Sequence, residues 1–397
     1  MNQKKKIAII GFANYENFGD QFIVKCVEYL VKKHGYEEVK ILDFCIEKQS
    51  KVKFQCLRFS CKLARELKMK RISSLLCIQK YRENYKNGLF RELKDVKAII
   101  FAGGSFKYGT QDVWIQYSCI IEYAREHNIA VMFNAMNVQT YNEKDFRCKY
   151  LKDHLNFSCV KMFTSRDGVP GVQRLKKYYV ENAELKVYAV ADPAYWIPET
   201  YNINKKEKSK EKRIIGINII APDRFRLYGG FLSPEEVKMS YRNFFRLLDD
   251  ANVKWEIFTN GMRDDIQFAL ELLKEEKLDK EKLITPNSDI ELANIISNYY
   301  AVFAGRLHAA ICAYSLKIPV AGFTWDEKIL RFAEMANIKK AFLNETEISE
   351  QNMFEALRCA INEQSNSDDD AREKWRELTQ KSIFEFLDSV EIFEVKN

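Results

Sequence analysis

Two residues that can do chemistry together stand two positions apart in the otherwise apolar stretch "YYAVFAGRLHAAICAYSLKIPVAGFTWDEK" (299–328). A strand-like run ends at Gly305, and Arg306 and His308 follow at the start of a helix-like segment. Backbone N–H groups at a helix start attract anions, and a guanidinium can hold a carboxylate or phosphate through two hydrogen bonds. An imidazole exchanges a proton near neutral pH. The spacing therefore predicts binding of a small anion followed by proton transfer, with a helix cap beside a core histidine as the alternative.

Short apolar runs alternate with longer amphipathic segments along the chain. This alternation predicts parallel sheets with helices on both faces, and ligands of such sheets bind beyond the carboxyl ends of the strands. The simplest α/β fold is therefore two Rossmann-like, doubly wound domains that face each other across a cleft. The runs that we interpret as strands are Ile7–Phe12, Val39–Phe44, Ala98–Ala102, Ala130–Asn134, Val160–Thr164, Leu185–Val190, Ile214–Ile219, Trp255–Thr259, Leu283–Thr285, Ala301–Ala304 and Val320–Phe323.

A polar run, "NINKKEKSKEKR" at 202–213, separates the two sets of strands. Its composition predicts a domain linker, and an ordinary surface loop is the alternative. The predicted organisation is an N-terminal domain at 1–201, a C-terminal domain at 214–345 and terminal helices at 346–397.

The composition bounds the class of protein. With 397 residues, of which 47% are hydrophobic, the chain is long enough for two cores. Glycine (15) and proline (7) are too scarce for a collagen-like or low-complexity chain. The ten cysteines include no CxxC pair, so no metal site is predicted, and free thiols favour a cytoplasmic location. No segment approaches the ~18 to 20 uninterrupted apolar residues of a membrane span.

The segment Lys51–Lys94 is strongly basic. It holds 13 Lys or Arg against three Glu, an excess of +10, whereas the whole chain carries +7. A basic amphipathic helix can lie on an anionic membrane, so peripheral contact with the inner membrane face is one interpretation. A solvated helix that packs on the N-terminal sheet is the other. Binding to nucleic acid is not predicted, because no recognisable binding module accompanies the charge. The predicted apolar face comprises Leu57, Cys61, Ala64 and Ile72.

Five short motifs, in order, carry a resemblance to a known family. "GRLHAAICAYSLKIPVAGFTWDEK" is similar to the C-terminal signature of the polysaccharide pyruvyl transferases. "GFANYENFGDQFIV" (11–24) resembles that family's glycine-rich opening with its N-x-GD element. "IIFAGGSF" (99–106) resembles its glycine turn, with Ser105 in place of the usual third glycine. "TSRD" (164–167) and "VADPAYW" (190–196) resemble its S-R-D and D-P-A elements, so the resemblance spans roughly residues 5–335.

The resemblance implies both a fold and a reaction. The fold is like that of the GT-B glycosyltransferases, with an active site between two Rossmann-like domains. The reaction transfers the enolpyruvyl group of phosphoenolpyruvate to a sugar of a cell-surface glycan or its lipid-linked precursor, forming a pyruvate ketal and releasing phosphate. Phosphoenolpyruvate is then the donor substrate, and no cofactor is expected. Arg306 is carried over as the anion clamp and His308 as the general acid.

The resemblance implies roles for three further residues. Arg166 is either a second anion ligand or a structural partner of Asp167. Asp192 either orients the acceptor, or acts as a base, or only forms a turn. Lys328 either contacts the donor phosphate or is a surface lysine.

The glycine-containing motifs are expected to shape loops. Asn14, Gly19 and Asp20 are expected to form a loop on the acceptor side. Gly103 and Gly104 allow a close approach of the backbone.

Two other classes of protein fit the sequence. A GT-B-type glycosyltransferase that uses a nucleotide sugar needs an acidic group for the ribose, and Asp326 or Glu327 can supply it. Stabilisation by UDP or GDP, but not by phosphoenolpyruvate, favours that class. A catalytically silent binding or scaffold protein keeps the fold without the chemistry, and predicts that substitution of Arg306 and His308 leaves glycan production unchanged.

Overall fold

A computed structural model describes residues 6–44, 70–86, 88–109, 112–203, 213–227, 230–364 and 370–395. The chain forms two compact units, and neither is contiguous in sequence. The first unit is drawn from residues 1–14, 27–191 and 378–397, and the second from residues 15–26 and 192–377. A short N-terminal segment thus belongs to the second unit, and the end of the last helix to the first.

The first unit is built around a parallel sheet. Along residues 6–191 the elements are strands β1 (Lys6–Gly11), β2 (Val39–Asp43), β3 (Val96–Ala102), β4 (Ser105–Phe106), β5 (Ala130–Val138), β6 (Val160–Ser165) and β7 (Lys186–Ala189), and helices α1 (Phe18–His34), α2 (Lys70–Lys86), α3 (Leu89–Glu92), α4 (Val113–Glu126), α5 (Phe146–Leu155) and α6 (Gly168–Tyr178). The strand order is β2-β1-β3-β5-β6-β7, with β4 paired to β5. The order reverses between β1 and β3, which is the topological switch point where ligands of such sheets bind.

The second unit is also built around a parallel sheet, but its strand order is different. Its elements are strands β8 (Ile214–Asn218), β9 (Lys254–Phe258), β10 (Leu283–Ile284), β11 (Ala301–Ala304), β12 (Val320–Phe323) and β13 (Phe342–Leu343), and helices α7 (Ile197–Tyr201), α8 (Asp223–Leu227), α9 (Pro234–Asp250), α10 (Arg263–Glu275), α11 (Asp289–Ser297), α12 (Leu307–Ser315), α13 (Glu327–Met335), α14 (Glu350–Gln364) and the start of α15 (Asp370–Val395). The parallel order is β10-β9-β8-β11-β12-β13. It is the Rossmann order 3-2-1-4-5-6, and its switch point lies between β8 and β11.

Local sequence explains where several helices begin. The Ser233 hydroxyl accepts from the backbone N–H of Glu236, and the Glu236 carboxylate accepts from the N–H of Ser233 at 2.7 Å, a capping box that starts α9. Ser288 caps α11 by accepting from the N–H of Glu291. Such caps satisfy N–H groups that have no partner within the helix.

Aromatic side chains fill both cores. In the first unit the Tyr117 ring lies 4.9 Å from Phe101 and 5.2 Å from Phe133, measured between centroids. In the second unit Phe303 and Phe323 pack edge to face at 5.0 Å. Because inner strands such as β5 and β11 are almost wholly buried, their sequences are largely continuous apolar runs rather than alternating patterns.

Two predictions fall wholly or partly outside the described residues. The first part of the basic segment, residues 51–69, and most of the predicted linker, residues 204–212, are not described. The linker and Leu57, Cys61 and Ala64 of the predicted apolar face therefore remain predictions. The fourth residue of that face, Ile72, lies in α2 and is 46% exposed, so it is not part of a buried apolar face. Among the residues that the structure does describe, no helix combines the length and apolarity needed to span a membrane.

A buried ionic cluster holds α2, α4 and α5 together. The Glu122 carboxylate accepts from Arg82 Nε at 2.9 Å, from Tyr150 Oη at 3.1 Å, and interacts with His154 Nε2 at 2.9 Å. Burial raises the pKa of Glu122, but the hydrogen bonds and charges of His154 and Arg82 outweigh burial and hold it at about 2, below its ordinary 4.5. The ionised form is therefore favoured by folding.

This cluster predicts acid-sensitive stability. A carboxylate whose pKa is lowered on folding stabilises the protein above its unfolded pKa, and this contribution is lost as the pH falls through about 4.5 towards 2. We expect Glu122→Gln to reduce the free energy of unfolding at pH 6 by more than at pH 3, measured by urea denaturation across that range. The matched control Glu126→Gln, on the exposed face of the same helix, should change it by within about 0.5 kcal/mol at both pH values. A pH-independent effect of Glu122→Gln would contradict this prediction.

Candidate active site

The predicted turn at Gly305 lies at the switch point of the second sheet. Gly305 follows β11, and its N–H donates to the carbonyl oxygen of Asn218, the last residue of β8, at 2.9 Å. The Asn218 side-chain oxygen accepts from the N–H of Arg306 at 3.0 Å. A Cβ atom at Gly305 would lie 2.7 Å from the Asn218 carbonyl oxygen, so this close approach requires glycine. The two central strands are thus joined at their carboxyl ends.

Arg306 is held by a carboxylate that the sequence analysis missed. Its Nε and Nη2 both donate to the side chain of Asp265, which also accepts from the N–H of Ala221 at 2.9 Å. The Asp265 side chain is 0% exposed and that of Arg306 is 12% exposed. Nη1 makes no hydrogen bond with the described part of the chain. One edge of the guanidinium is therefore fixed, and Nη1 remains available to an anion.

His308 lies between two carboxylates. Its Nδ1 is 3.7 Å from Asp20 Oδ1, and its Nε2 is 3.7 Å from Asp192 Oδ2. The His308 side chain is only 7% exposed, and Asp20 is the most accessible member at 26%. His308 Nε2 has no hydrogen-bond partner among the described residues. A buried imidazole between two carboxylates can exchange protons with a reacting group that reaches it.

The two carboxylates come from turns that begin helices. Asp192 Oδ1 accepts from the N–H of Ala194 at 3.0 Å and so caps the 3₁₀ turn Pro193–Trp196. Asp20 Oδ2 accepts from the Asn17 side chain at 3.1 Å, and Asn17 Oδ1 accepts from the N–H of Gly19 at 3.2 Å. The segments N-F-G-D and D-P-A therefore orient the two carboxylates through hydrogen bonds within each turn.

Gly19 allows the N-terminal turn to pack directly on the histidine. A Cβ atom at this position would lie 2.4 Å from His308 Cβ and 2.6 Å from its Nδ1. No rotation of the imidazole alone relieves a contact with its Cβ. The glycine is thus required for the approach of Asp20 to His308.

We expect Gly19→Ala to separate Asp20 from His308 and to lower turnover at least tenfold. The reason is steric, because the added methyl group overlaps the base of the imidazole. Lys25→Ala, a substitution on the exposed face of the same helix, is the control and should leave turnover unchanged. Wild-type turnover in Gly19→Ala, measured as consumption of the donor substrate, would show that this packing does not matter for activity.

The N-terminal turn is also fixed to the end of β9. The N–H of Phe18 donates to the carbonyl oxygen of Asn260 at 3.0 Å, and Asn218 Nδ2 donates to Asn260 Oδ1 at 3.1 Å. A Cβ at Gly261 would lie 2.5 Å from the Phe18 ring. The Asn260 Nδ2 atom, like His308 Nε2, is buried without a hydrogen-bond partner among the described residues. Such orphan polar atoms are rare in folded proteins and often mark functional sites.

Two predicted glycines and one predicted arginine meet in the first unit. Gly103 and Gly104 have φ values of 64° and 99°, which glycine adopts readily. They follow β3 at the switch point of that sheet. Arg166 Nη2 donates to the carbonyl oxygen of Gly104 at 3.4 Å. The structure thus brings these three residues together at one sheet edge.

The other predicted residues of the first unit have structural contacts. Asp167 accepts from Asn137 Nδ2 at 2.9 Å and from the N–H of Val138 at 2.7 Å, which ties α6 to the end of β5. The N–H of Asn14 donates to Asp43 at 2.7 Å, at the ends of β1 and β2. The asparagine that contacts Asp20 is Asn17, three positions further along the chain.

Lys328 lies in the first turn of α13, directly after the loop that follows β12. Its ammonium group pairs with Asp326 at 3.0 Å and lies 5.6 Å from the centre of the Trp325 ring. Trp325 Nε1 donates to the carbonyl oxygen of Gly305 at 2.7 Å, which places this loop beside the turn that carries Arg306. The lysine is therefore near that turn and in an ion pair.

The last helix supplies two arginines that support the site. Arg376, on α15, donates to Glu199 and lies 4.3 Å from the centre of the Trp196 ring. Arg372 lies 4.4 Å from the centre of the Tyr314 ring, on the helix that carries His308. Both arginines are buried. Their contacts stabilise the 3₁₀ turn that follows Asp192 and helix α12.

Four residues of the site escaped the sequence analysis: Asn17, Asn218, Asn260 and Asp265. Asn17 is the asparagine of "NFGD" itself and could have been found from that motif. Asn218 and Asn260 are single polar residues at or just after strand ends, and Asp265 lies in the first turn of α10, so apolar patterns give no signal for them. Among the described residues no group of three or more His, Cys, Asp or Glu side chains is arranged to hold a metal ion.

Two solved UDP-N-acetylglucosamine 2-epimerases share the fold of this chain. A provisionally named UDP-N-acetylglucosamine 2-epimerase from Listeria monocytogenes superposes with a TM-score of 0.58 at 9% identity, covering 100% of this chain and 98% of the other. The UDP-GlcNAc 2-epimerase from Neisseria meningitidis, bound to UDP-GlcNAc, gives 0.55 at 12% identity, with 99% and 100% covered. These similarities, with the two parallel sheets, define a GT-B-type fold of two Rossmann-like domains.

The sequence places the chain in a family within that fold. The profile of the polysaccharide pyruvyl transferases matches residues 17–327, and the chain belongs to this family. It is therefore a transferase of a family that acts on saccharides. No curated protein sequence matches the chain.

Proposed function

We propose that this protein transfers the enolpyruvyl group of phosphoenolpyruvate to a sugar and closes a pyruvate ketal. The observation that carries the proposal is the placement of His308 between Asp20 and Asp192, next to Arg306 at the switch point of the second sheet. Ketal formation requires an anion-binding group, a proton donor and a proton acceptor in one place. Membership of the family supports the same assignment.

The reaction balances with these groups. A proton is added to the methylene carbon of phosphoenolpyruvate, which becomes a methyl group, and the first sugar hydroxyl bonds to the neighbouring carbon and releases its proton. The C–O bond to phosphate then breaks, and a second hydroxyl of the same sugar bonds to that carbon. The two hydroxyl protons balance the proton used on the methylene carbon and the one carried away by phosphate.

Each residue has a role in this sequence. The Nη1 group of Arg306 and the N–H groups at the start of α12, which lack acceptors within the helix, bind the phosphate or carboxylate of the donor. His308 donates the proton to carbon, and Asp192 or Asp20 accepts a hydroxyl proton. Because the His308 side chain is only 7% exposed, the substrate reaches the ring only if side chains around it move.

Incubation with phosphoenolpyruvate and a panel of sugars tests the proposal. Phosphate release and a product 70 Da heavier than the acceptor, an increment that follows from the formula of a bridging pyruvate ketal (C₃H₂O₂), are the expected results. A product heavier by one hexose or N-acetylhexosamine, formed only with a nucleotide sugar, would replace this proposal with glycosyl transfer.

Glycosyl transfer from a nucleotide sugar is the second candidate. The structural relatives that bind UDP-GlcNAc favour it, since they share the fold over nearly the whole chain. Asp326, the acidic residue that the ribose would need, is engaged with Lys328 and with the N–H that starts α13. Thermal stabilisation by UDP but not by phosphoenolpyruvate would favour this candidate.

The partners and location follow from the proposed reaction. The partners are phosphoenolpyruvate and a saccharide or lipid-linked oligosaccharide acceptor. A cytoplasmic location and peripheral contact with an anionic membrane through the basic segment stay predictions.

A further inference from the structure

A cavity of about 910 Å³ opens on the first unit, separate from the His308 cluster in its lining residues. Two of its walls are the loops that follow β4 and β5, so it lies at the carboxyl edge of the first sheet, the edge where ligands of doubly wound sheets bind. The third wall is the first half of α2. Its volume is in the range of small-molecule sites.

The cavity combines an apolar floor with a polar rim. Trp114, Ile115 and Cys77 form buried parts of the lining. Ser73 lines the cavity at 5% exposure, and its hydroxyl makes no hydrogen bond with the described part of the chain. Asn142 is exposed at the rim. The Ser73 hydroxyl can therefore donate to or accept from a ligand in the cavity.

When the ion pair within the rim is set aside, the charged residues around the cavity have a net positive charge that can attract a ligand. Arg147 is compensated by Asp145, whose carboxylate accepts from Nη2 at 2.6 Å. Of the remaining charged residues that line the cavity, Arg71 and Lys144 are positive and exposed, and Asp112 is negative. The Arg71 guanidinium lies 5.5 Å from the centre of the Phe146 ring, which orients it at the rim. The uncompensated excess is therefore one positive charge.

We propose that this cavity binds the saccharide acceptor and selects a sugar that carries a carboxylate or a phosphate. The inference rests on the proposed function, since it assigns the second substrate of that reaction. The apolar floor suits the C–H faces of a sugar, Ser73 and Asn142 suit its hydroxyls, and Arg71 and Lys144 suit its anionic group. Ser73, Arg71 and Lys144 are thus specificity-determining residues.

Binding can be measured without turnover, which separates this inference from the reaction. The probes are an oligogalacturonate, a neutral oligosaccharide of the same length, a sugar phosphate and inorganic phosphate alone, titrated calorimetrically into the full chain at low and at physiological salt. We expect the acidic sugars to bind most tightly and to weaken with salt. Arg71→Ala/Lys144→Ala should weaken them at least tenfold and leave the weak binding of the neutral sugar unchanged.

Two further variants make the experiment decisive. Ser73→Ala should weaken acidic and neutral sugars alike, whereas the control Lys94→Ala/Lys97→Ala, which removes two exposed positive charges elsewhere on this unit, should change neither. Equal affinity of the Arg71/Lys144 variant and the wild type for acidic sugars would overturn the inference, and so would binding of inorganic phosphate as tight as that of the sugar phosphate. If the protein binds sugars in the expected pattern but consumes no phosphoenolpyruvate, the proposed function is refuted and the assignment of this cavity stands.

Discussion

Replacing His308 with glutamine is expected to lower kcat for phosphate release by about 10²- to 10⁴-fold, because a positioned proton donor typically contributes that much. Glutamine fills most of the space of the imidazole and keeps a polar group between Asp20 and Asp192, but it cannot donate a proton to carbon. The measurement is the steady-state rate of phosphate release with saturating phosphoenolpyruvate and acceptor.

A second histidine provides the control for this substitution. His127 lies on the surface of the first unit, so His127→Gln should leave kcat unchanged. Thermal denaturation of both variants shows whether the fold is kept, since His308 is buried. A folded His308→Gln protein with wild-type kcat contradicts the role of His308 as the general acid.

Removing Asp265 is expected to cost about 3 to 5 kcal/mol of the free energy of unfolding, since it leaves the Arg306 charge buried without its partner. Asp265 is fully buried, and its carboxylate accepts two hydrogen bonds from the guanidinium and one from the backbone of Ala221. Asp265→Ala should also raise the KM for the donor, because Arg306 loses the group that fixes its orientation. Urea denaturation and steady-state kinetics measure the two effects.

The adjacent aspartate is a matched control. Asp264 pairs with Arg224 at 2.7 Å, but its side chain is largely exposed, and surface ion pairs of this kind contribute between 0 and about 1 kcal/mol. Asp264→Ala should therefore have a small effect on stability and none on KM. If the two alanine variants were equally stable, the ion pair of Arg306 and Asp265 would not hold the site together.

Much of the fold could be predicted because the inner strands of both sheets are largely buried and apolar. All eleven predicted strands match observed ones, from β1 to β12, and the alternation of strands and helices predicted two Rossmann-like domains. The two strands that were missed, β4 and β13, have two residues each. The assignment of residues 15–26 to the second unit was also not predictable, since it depends on packing of the chain rather than on local sequence.

Only those residues of the site that lie in family motifs could be predicted from the sequence. The family motifs led to Arg306, His308, Asp192 and Asp20, and the structure brings the last three together around the imidazole. Arg306 and Asp265, which form an ion pair, are 41 positions apart in sequence. They meet because β8, β9 and β11 end beside one another. The arginines of α15 lie beyond residue 327, where the family profile ends, so no motif pointed to them.

The transfer of a proton from His308 to the methylene carbon of phosphoenolpyruvate is the central claim, and a reaction in D₂O tests it most directly. The wild type and His308→Gln are each mixed with phosphoenolpyruvate and an acceptor, and the ketal methyl group is followed by NMR. With the wild type we expect one deuterium per methyl group. With His308→Gln we expect neither labelled ketal nor exchange of deuterium into phosphoenolpyruvate. A variant that forms the singly deuterated ketal at the wild-type rate would contradict it.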